Sequence, residues 1–249
     1  MRRHWLLPFI VPAVVLLAWE AAVRASLLDR LFFPPPSALW ATFFEMARQG
    51  ELERRVAITL LHAAKGFLFG ALPGVACGVL MGASAWVRRA LEPFLAALYA
   101  TPKLTLLPML MLVAGTGDLP RQILVAATVF LVVVMNTVDG VGGVPPHFVE
   151  MAKNYGASRG MLFRRVYLPS SAPSIFTGLR LGMGRALVLA ITVEMIGGGS
   201  GLGSLVWTAW LTFSPERLYI AVIFSAILGA TVHRGLKLVE FRLIPWRAR

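Results

Sequence analysis

The sequence has few charged residues and only one cysteine. Of its 249 residues, 14% are charged and 57% are hydrophobic, whereas a soluble domain carries roughly 25% charged and about 45–50% apolar residues. This composition excludes an ordinary soluble domain and a disordered chain. The single Cys77 excludes an internal disulfide and a cysteine-based metal site, and the four histidines lie at no metal-ligand spacing. We therefore expect no metal or other cofactor, and the mean hydropathy of +0.73 indicates a membrane protein.

The sequence also lacks the motifs of an ATPase or of another enzyme. No Walker motif occurs, and the glycine-rich run 197–203 has no Gly-Lys-Ser/Thr ending. No carboxylate pair, metal constellation or nucleophile–base arrangement lies at a recognisable spacing. We therefore predict that the chain is not an enzyme, that any ATP hydrolysis belongs to a partner subunit, and that a short helix over 202–211 follows the glycine-rich turn.

Six segments come close to the roughly 20 apolar residues that a helix needs to cross a bilayer. Pro102, Lys103 and Pro108 interrupt the third segment. A signal peptide is an alternative for the first segment, but the run is long for one and no small-residue cleavage site follows it, so we interpret it as a retained helix. The sequence thus predicts one all-α, multi-pass membrane domain over 1–249. The predicted spans are Trp5–Val23, Val56–Met81, Leu91–Ala114, Gln122–Val138, Ser174–Ile196 and Leu218–Val232.

The positive charges lie mostly on one side of these predicted spans. Lys and Arg exceed Asp and Glu by 12, an excess that in a soluble protein would indicate nucleic-acid binding. With the N-terminus inside, the inside segments hold 13 Lys and Arg and the outside segments hold 7. Cytoplasmic loops carry such an excess. We therefore predict that both termini are cytoplasmic and that the partner is a lipid bilayer, with no nucleic acid.

Two connections between the predicted spans are long. Residues 24–55 lie outside, where the prolines at 34–36 stop a helix, Ser37 is placed to cap a new one, and apolar residues then recur at helical spacing. There we predict a short amphipathic helix at the outer surface. Residues 139–172 lie inside, and the segment 144–169 within them, here called the elbow, has the pattern of two short helices.

The elbow combines helix starts, helix stops and an apolar stripe. The prolines at 145–146 favour a helix start, Glu150 suits the positive helix end, and Gly156 can take the left-handed conformation that ends the helix. Ser158 can cap a second helix, which we expect Pro169 to end. The stripe of the first helix comprises Phe148, Met151, Ala152 and Tyr155. This arrangement is typical of a docking element; an amphipathic elbow resting on lipid headgroups is the alternative.

Small residues recur at one-turn spacing on two predicted spans. Glycines at this spacing let another backbone approach closely, which matters in lipid because apolar burial gains little there. We favour packing within the chain, and a sliding face or a dimer seam is the alternative. The positions are Gly66, Gly70, Gly74, Gly78 and Gly82 on the second span and Gly178 and Gly182 on the fifth.

The elbow resembles the E-A-A-x3-G-x9-I-x-L-P signature of ABC importer membrane subunits. Glu150, Ala152 and Gly156 match it and are followed after nine residues by Val-x-Leu-Pro at 166–169, with Met151 and Val166 as conservative departures. The resemblance implies that the first elbow helix is a coupling helix, which inserts into a cleft of an ATP-binding subunit. The residues implied to contact that subunit are Glu150, Met151, Ala152, Tyr155 and Gly156.

Further motifs resemble the nitrate, sulfonate and taurine branch of this family. They are Phe33-Pro-Pro-Pro-Ser37, Thr101-Pro102 with Leu107-Pro108, Gly178-Leu-Arg180, and Glu194-Met-Ile with Gly201-Leu-Gly203. The resemblance implies a type I ABC importer permease fold in a bacterial inner membrane. It also implies a homodimer, two copies of a cytoplasmic ATP-binding subunit, and an external substrate-binding protein. The implied solute is small, such as a sulfonate, taurine or nitrate.

Ionisable residues inside spans are costly and usually functional. Lys103 lies in a broken helix, which membranes tolerate only where it is buried in protein or lines a cavity, and its charge suits an anionic solute. Arg180 and Glu194 are 14 residues apart on one helix, about 21 Å along its axis, so their partners must come from elsewhere. We take all three as pathway candidates, with interfacial anchoring of Arg180 and helix packing of Glu194 as alternatives. A self-contained channel or secondary transporter is the alternative function, although no inverted repeat is evident.

Overall fold

The computed structural model describes residues 7–243, with side chains from Ile10 onward. Over this range the chain is helical and contains no strand. A 3-10 turn, Lys103–Leu106, precedes α5, and a π-helical segment, Phe163–Tyr167, joins α8 to α9. The helices are α1 Leu7–Arg24, α2 Pro36–Arg48, α3 Glu51–Ala83, α4 Ala85–Ala100, α5 Leu107–Ala114, α6 Asp118–Gly142, α7 Pro146–Asn154, α8 Arg159–Leu162, α9 Leu168–Gly197, α10 Leu202–Leu211 and α11 Pro215–Leu243.

Three helices, α3, α6 and α11, are long and apolar enough to cross a membrane. Two bent pairs also qualify if each counts as one span: α4 with residues 103–114, bent by 87°, and residues 159–197 with α10, bent by 41°. The described part of the chain thus provides three to five candidate spans. The predicted first span coincides with α1, but Trp5 at its start lies outside the described residues. The predicted short helix over 202–211 is confirmed as α10.

The third predicted span is not one continuous helix. α4 ends at Ala100 and α5 begins at Leu107. Pro102 has no N–H to continue the helix, whereas Pro108 lies in the first turn of α5, where no bonded N–H is lost. The break that the sequence predicts around Lys103 is therefore present, and it turns the chain sharply.

The second elbow helix does not end at Pro169, contrary to expectation. The chain stays helical from Arg159 through Gly197, because the π-helical segment lies directly before α9. There the N–H of Leu168 donates to the carbonyl of Phe163, five residues back. A proline ring normally collides with the carbonyl four residues earlier, and this wider turn makes room for it. The helix of the fifth predicted span thus starts 15 residues before Ser174.

The chain divides into two compact units, residues 1–58 with 194–227 and residues 59–193 with 228–249. In the first unit, α2 begins one residue before Ser37, which therefore does not cap it. The N–H and the hydroxyl of Ser37 instead donate to the Glu20 carboxylate, at 3.0 and 2.8 Å. The amphipathic helix after the proline run is present, and the proline that starts it has no N–H to be capped.

The second unit is built around α6, whose Val129, Val133 and Val134 are fully buried. The glycines of α3 at 66–82 lie along residues 125–141 in the same order, so α3 and α6 run parallel. The α9 contacts follow the opposite order, and α9 is therefore antiparallel to α6. Because α6 packs with a glycine-bearing face of each neighbour, its backbone comes close to both.

Candidate functional site: the elbow and the buried polar groups

The first elbow helix, α7, ends in a left-handed glycine cap. Gly156 has φ +79°, its N–H donates to the carbonyl of Lys153 at 2.8 Å, and the N–H of Ala157 donates to the carbonyl of Ala152 at 3.0 Å. These two bonds form a Schellman motif, which satisfies carbonyls that a helix end leaves open. A Cβ at Gly156 would meet no atom within 4 Å. Glycine is therefore favoured at 156 by the positive φ of the backbone and not by a lack of room for a side chain.

Ser158 starts the second elbow helix as the sequence predicts. Its backbone is extended, and its hydroxyl accepts a hydrogen bond from the N–H of Met161 at 3.4 Å. Only Tyr155, Gly156, Ala157 and Ser158 separate α7 from α8. Capped on both sides, this short turn connects α7 directly to the long helix through Gly197.

One face of α7 is apolar and is not covered by any other described residue of the chain. Phe148 is 49% exposed, Met151 55% and Tyr155 88%. Glu150 and Gly156 are also exposed, while Ala152 is half-buried. Exposed apolar residues at helical spacing, bordered by polar ones, mark an interaction surface. The structure thus places Glu150, Met151 and Ala152 on α7, and Tyr155 and Gly156 in the turn directly after it.

The predicted glycine stripe of α3 lies against α6 throughout its length. A Cβ at Gly66, Gly78 or Gly82 would come within 2.5 Å of a side-chain atom of α6, and one at Gly74 within 3.0 Å. A Cβ at Gly70 would overlap the backbone carbonyl of Ala126. The residues that face the stripe also recur every four positions: Val125, Val129, Val133, Thr137 and Val141.

The glycines of α9 pack on another face of α6. A Cβ at Gly178 would lie 2.7 Å from the Cβ of Asn136, and one at Gly182 would lie 3.2 Å from the Cγ2 of Val133. In the opposite direction, a Cβ at Gly140 of α6 would lie 2.7 Å from the Cβ of Ser174. All seven predicted packing glycines thus face α6 within one chain.

Lys103 binds the end of the helix that precedes it. Its ammonium group donates to the carbonyls of Tyr99 and Thr101, at 3.2 and 3.4 Å, and lies 5.5 Å from the centre of the Tyr99 ring. A cation is favourable at the negative end of a helix such as α4. Lys103 thus stabilises the break between α4 and α5, because its ammonium group donates to carbonyls at the end of α4.

Arg180 forms an ion pair with Glu240 of α11. Its Nη1 lies 2.8 Å from the Glu240 Oε2, and the Glu240 side chain is only 8% exposed. Sequence reasoning placed Glu240 in an inside segment after a span ending at Val232, whereas α11 continues to Leu243. The 60-residue separation of the two partners leaves no local pattern that sequence reasoning could have used.

Glu194 is fully buried at the start of α10. Its Oε2 accepts a hydrogen bond from the N–H of Gly203 at 3.1 Å, and its backbone carbonyl accepts one from the Ser204 hydroxyl at 3.0 Å. Gly201 lies so close to the carboxylate that a Cβ there would overlap it. A carboxylate is favourable at a helix N-terminus. Within the motif 194–203, Glu194 therefore stabilises the first turn of α10.

Residues 74–245, more than half of the chain, match the family described as the binding-protein-dependent transport system inner membrane component. This chain belongs to that family. It is therefore a membrane permease component of an ABC importer, and the family predicted from the elbow motif is confirmed.

Curated permeases resemble this chain over most of its length. It is 29% identical to the taurine transport system permease protein TauC of Escherichia coli, with 94% of this chain and 87% of TauC covered. It is 31% identical to the riboflavin transport system permease protein RibX of Chloroflexus aurantiacus, over 94% and 88% of the two chains. It is 31% identical to the nitrate import permease protein NrtB of Leptolyngbya laminosa, over 77% and 68%.

Solved permeases share the fold. An inward-facing conformation of the MetNI methionine ABC transporter superposes with a TM-score of 0.68 at 17% identity, over 80% of this permease and 96% of that chain. An amino acid ABC transporter with histidines superposes with a TM-score of 0.67 at 19% identity, over 80% and 97%. The all-helical fold is therefore that of type I ABC importer permeases.

Proposed function

We propose that two identical copies of this permease form one pathway through a bacterial inner membrane. Each copy binds one cytoplasmic ATP-binding subunit through its elbow, and an external substrate-binding protein delivers the solute. The exposed apolar residues of α7 carry this proposal, because such residues bordered by polar ones mark an interaction surface. Glu150, Met151, Ala152, Tyr155 and Gly156 are the proposed contact residues.

We further propose six spans with both termini in the cytoplasm, and one permease domain over the whole chain. The distribution of Lys and Arg supports this orientation. The helix directions also support it: α3 and α6 run parallel, so the bent segment between them has to return across the membrane. In this arrangement residues 24–55 are external, and the connection within 139–172 that contains the elbow is cytoplasmic.

ATP-driven closure of the two ATP-binding subunits moves the elbows in this mechanism. Because α8, the π-helical segment and α9 form one continuous helix, motion of the elbow reaches the fifth span without a flexible joint. The ion pair between Arg180 and Glu240 then carries the motion to α11. The spans thereby reorient between outward-open and inward-open states, which is a two-state domain motion of the hinge and shear kind.

The solute that we propose is a small anion or zwitterion, such as a sulfonate, taurine or nitrate. TauC and NrtB carry taurine and nitrate in their names, and both resemble this chain over two thirds of their length or more. RibX carries riboflavin in its name at the same level of identity. Permeases of similar sequence therefore serve different solutes, and the external binding protein is the proposed source of specificity.

Ala152→Trp tests the role of the elbow. A large ring on the half-buried side of α7 should prevent the helix from entering a groove, so we expect loss of ATP-binding subunit on co-purification and at least tenfold lower solute-stimulated ATPase activity. The matched control is Asn154→Trp, which adds the same ring on an exposed side of α7. Normal co-purification and uptake with Ala152→Trp would refute the docking role. ATP-independent uptake by the permease alone would favour a channel or a secondary transporter.

A further inference from the structure

A cavity of about 270 Å³ lies between α4 and the second half of α6. It is much larger than the roughly 10–15 Å³ that one water molecule requires, so it can hold a small organic solute. Most of its wall is apolar, with Leu131 and Met135 of α6 among the lining residues. Its polar lining residues are Arg88, Glu92, Tyr99 and Asp139.

The three charged groups of this cavity carry a net charge of one negative unit, because one guanidinium faces two carboxylates. Arg88 and Glu92 form a loose pair, with Nε and Oε2 3.6 Å apart and both side chains about half exposed. The Asp139 carboxylate forms no ion pair or hydrogen bond with any residue in the range 7–243. A simple anion is thus repelled by the excess charge, whereas a solute with both an ammonium and an acidic group finds a partner for each.

The cavity ends where the elbow begins. Asp139 lies in the last turn of α6, four residues before the chain leaves that helix and seven before α7 starts. Arg88 lies in the first turn of α4, and its Nη1 lies 4.0 Å from where a Cβ at Gly142 would be. Only residues 140–143 separate Asp139 from the elbow, so the helix turn that holds Asp139 lies next to the segment that is proposed to move.

We propose that this cavity is a solute site on the inner half of the transport pathway and that it takes small zwitterions. Asp139 and Glu92 bind the ammonium group, Arg88 binds the acidic head, and Leu131 and Met135 contact the carbon chain. The proposal rests on the proposed import function, and it narrows the solute from small anions and zwitterions to those that carry an amine as well as an acidic group. Asp139 then selects among solutes a second time, after the external binding protein has delivered them.

A cysteine in the wall of the cavity tests this proposal without requiring transport. Met135→Cys is placed in a Cys77→Ala background of the full chain, assembled with its ATP-binding subunits in membrane vesicles. Labelling by a small methanethiosulfonate reagent is measured with millimolar taurine, and then with 2-hydroxyethanesulfonate, which has a hydroxyl in place of the amine. We expect taurine to slow the labelling about threefold to fivefold more than the hydroxyl compound, the ratio that one exposed ion pair supplies. Asp139→Asn should abolish this difference.

Leu112→Cys in the same background is the control, because Leu112 is 88% exposed on α5 and does not line the cavity. Neither solute should alter its labelling. Equal protection by the two solutes, or no labelling of the Met135→Cys variant in the assembled complex, would overturn the proposal. ATP-driven taurine uptake in the same vesicles separates the proposed solute site from the proposed import function. Uptake without protection refutes the site in the cavity alone. Protection without uptake refutes the import of this solute.

Discussion

The Glu194 carboxylate packs directly against Gly201, so the two positions depend on each other. The buried carboxylate occupies the space that any side chain at position 201 would need. It also accepts the hydrogen bond of Gly203 in the first turn of α10. Gly201 is therefore explained by the carboxylate, and the carboxylate by the helix end that it caps.

Gly201→Ala should displace the Glu194 carboxylate and loosen α10. A buried hydrogen bond to a charged group contributes about 1.5–3 kcal/mol, and we expect a loss of that size in stability. The measurement is thermal unfolding followed by the fluorescence of Trp207 and Trp210, which both lie on α10. Gly184→Ala is the control, because a Cβ there meets no atom within 4 Å. Equal unfolding temperatures for the two variants would contradict a stabilising role of the Glu194 carboxylate at the start of α10.

Single residues were predictable from sequence where their partners are local. Gly156 and Ser158 are examples, because a cap involves atoms only two to five residues away. The partner of Arg180 was not predictable, because Glu240 follows it by 60 residues. Lys103 was identified as a cation in a broken helix, yet its carbonyl partners depend on a turn whose direction the sequence does not specify.

At the scale of elements, the seam between α3 and α6 leaves no room for added atoms. Gly70→Ala should push α3 away from the carbonyl of Ala126, which the helix holds in place. Overpacking of this kind costs about 1–3 kcal/mol. We expect a lower midpoint of thermal aggregation in detergent, while Gly235→Ala, at an open position of α11, should leave it unchanged. An unaltered midpoint for Gly70→Ala would mean that the helices separate easily.

The glycine spacing predicted a close approach but not which helix makes it. A stripe along one face is satisfied equally by α6, by α9 or by a second copy, and only the folded chain decides among them. Pro169 misled prediction for a related reason. A proline ends a helix only when its ring has no room, and the π-helical segment that provides the room depends on backbone geometry rather than on residue type.

At the scale of the whole molecule, the proposed orientation predicts which side each connection occupies. In a Cys77→Ala background, Gln49→Cys lies between α2 and α3 and Asn154→Cys lies at the end of α7, and both positions are exposed. A maleimide that cannot cross membranes should label Gln49→Cys in intact cells and label Asn154→Cys only after lysis. The reverse result would show the opposite orientation. Labelling of both variants in intact cells would contradict the proposal that the two connections lie on opposite sides.

The family was predictable from the elbow, because the residues of its signature lie close together in the sequence. The span count was less readable. Hydropathy finds apolar length, but it does not give the 87° bend between α4 and residues 103–114. The orientation predicted from charge does not depend on the bends, because most Lys and Arg lie in the predicted connections.

The seam between α3 and α6 has a repeat that leaves its register open. Glycines recur every four residues on one helix and β-branched side chains every four on the other, so a shift by four residues, about 6 Å along the axis, restores the same fit at most positions. The register therefore has to be fixed by contacts that do not repeat. The pair of His62 Nε2 with Asp118 Oδ2, 3.6 Å apart at one end of the seam, is such a contact. In such a periodic interface, a local contact of this kind selects one register among several that pack almost equally well.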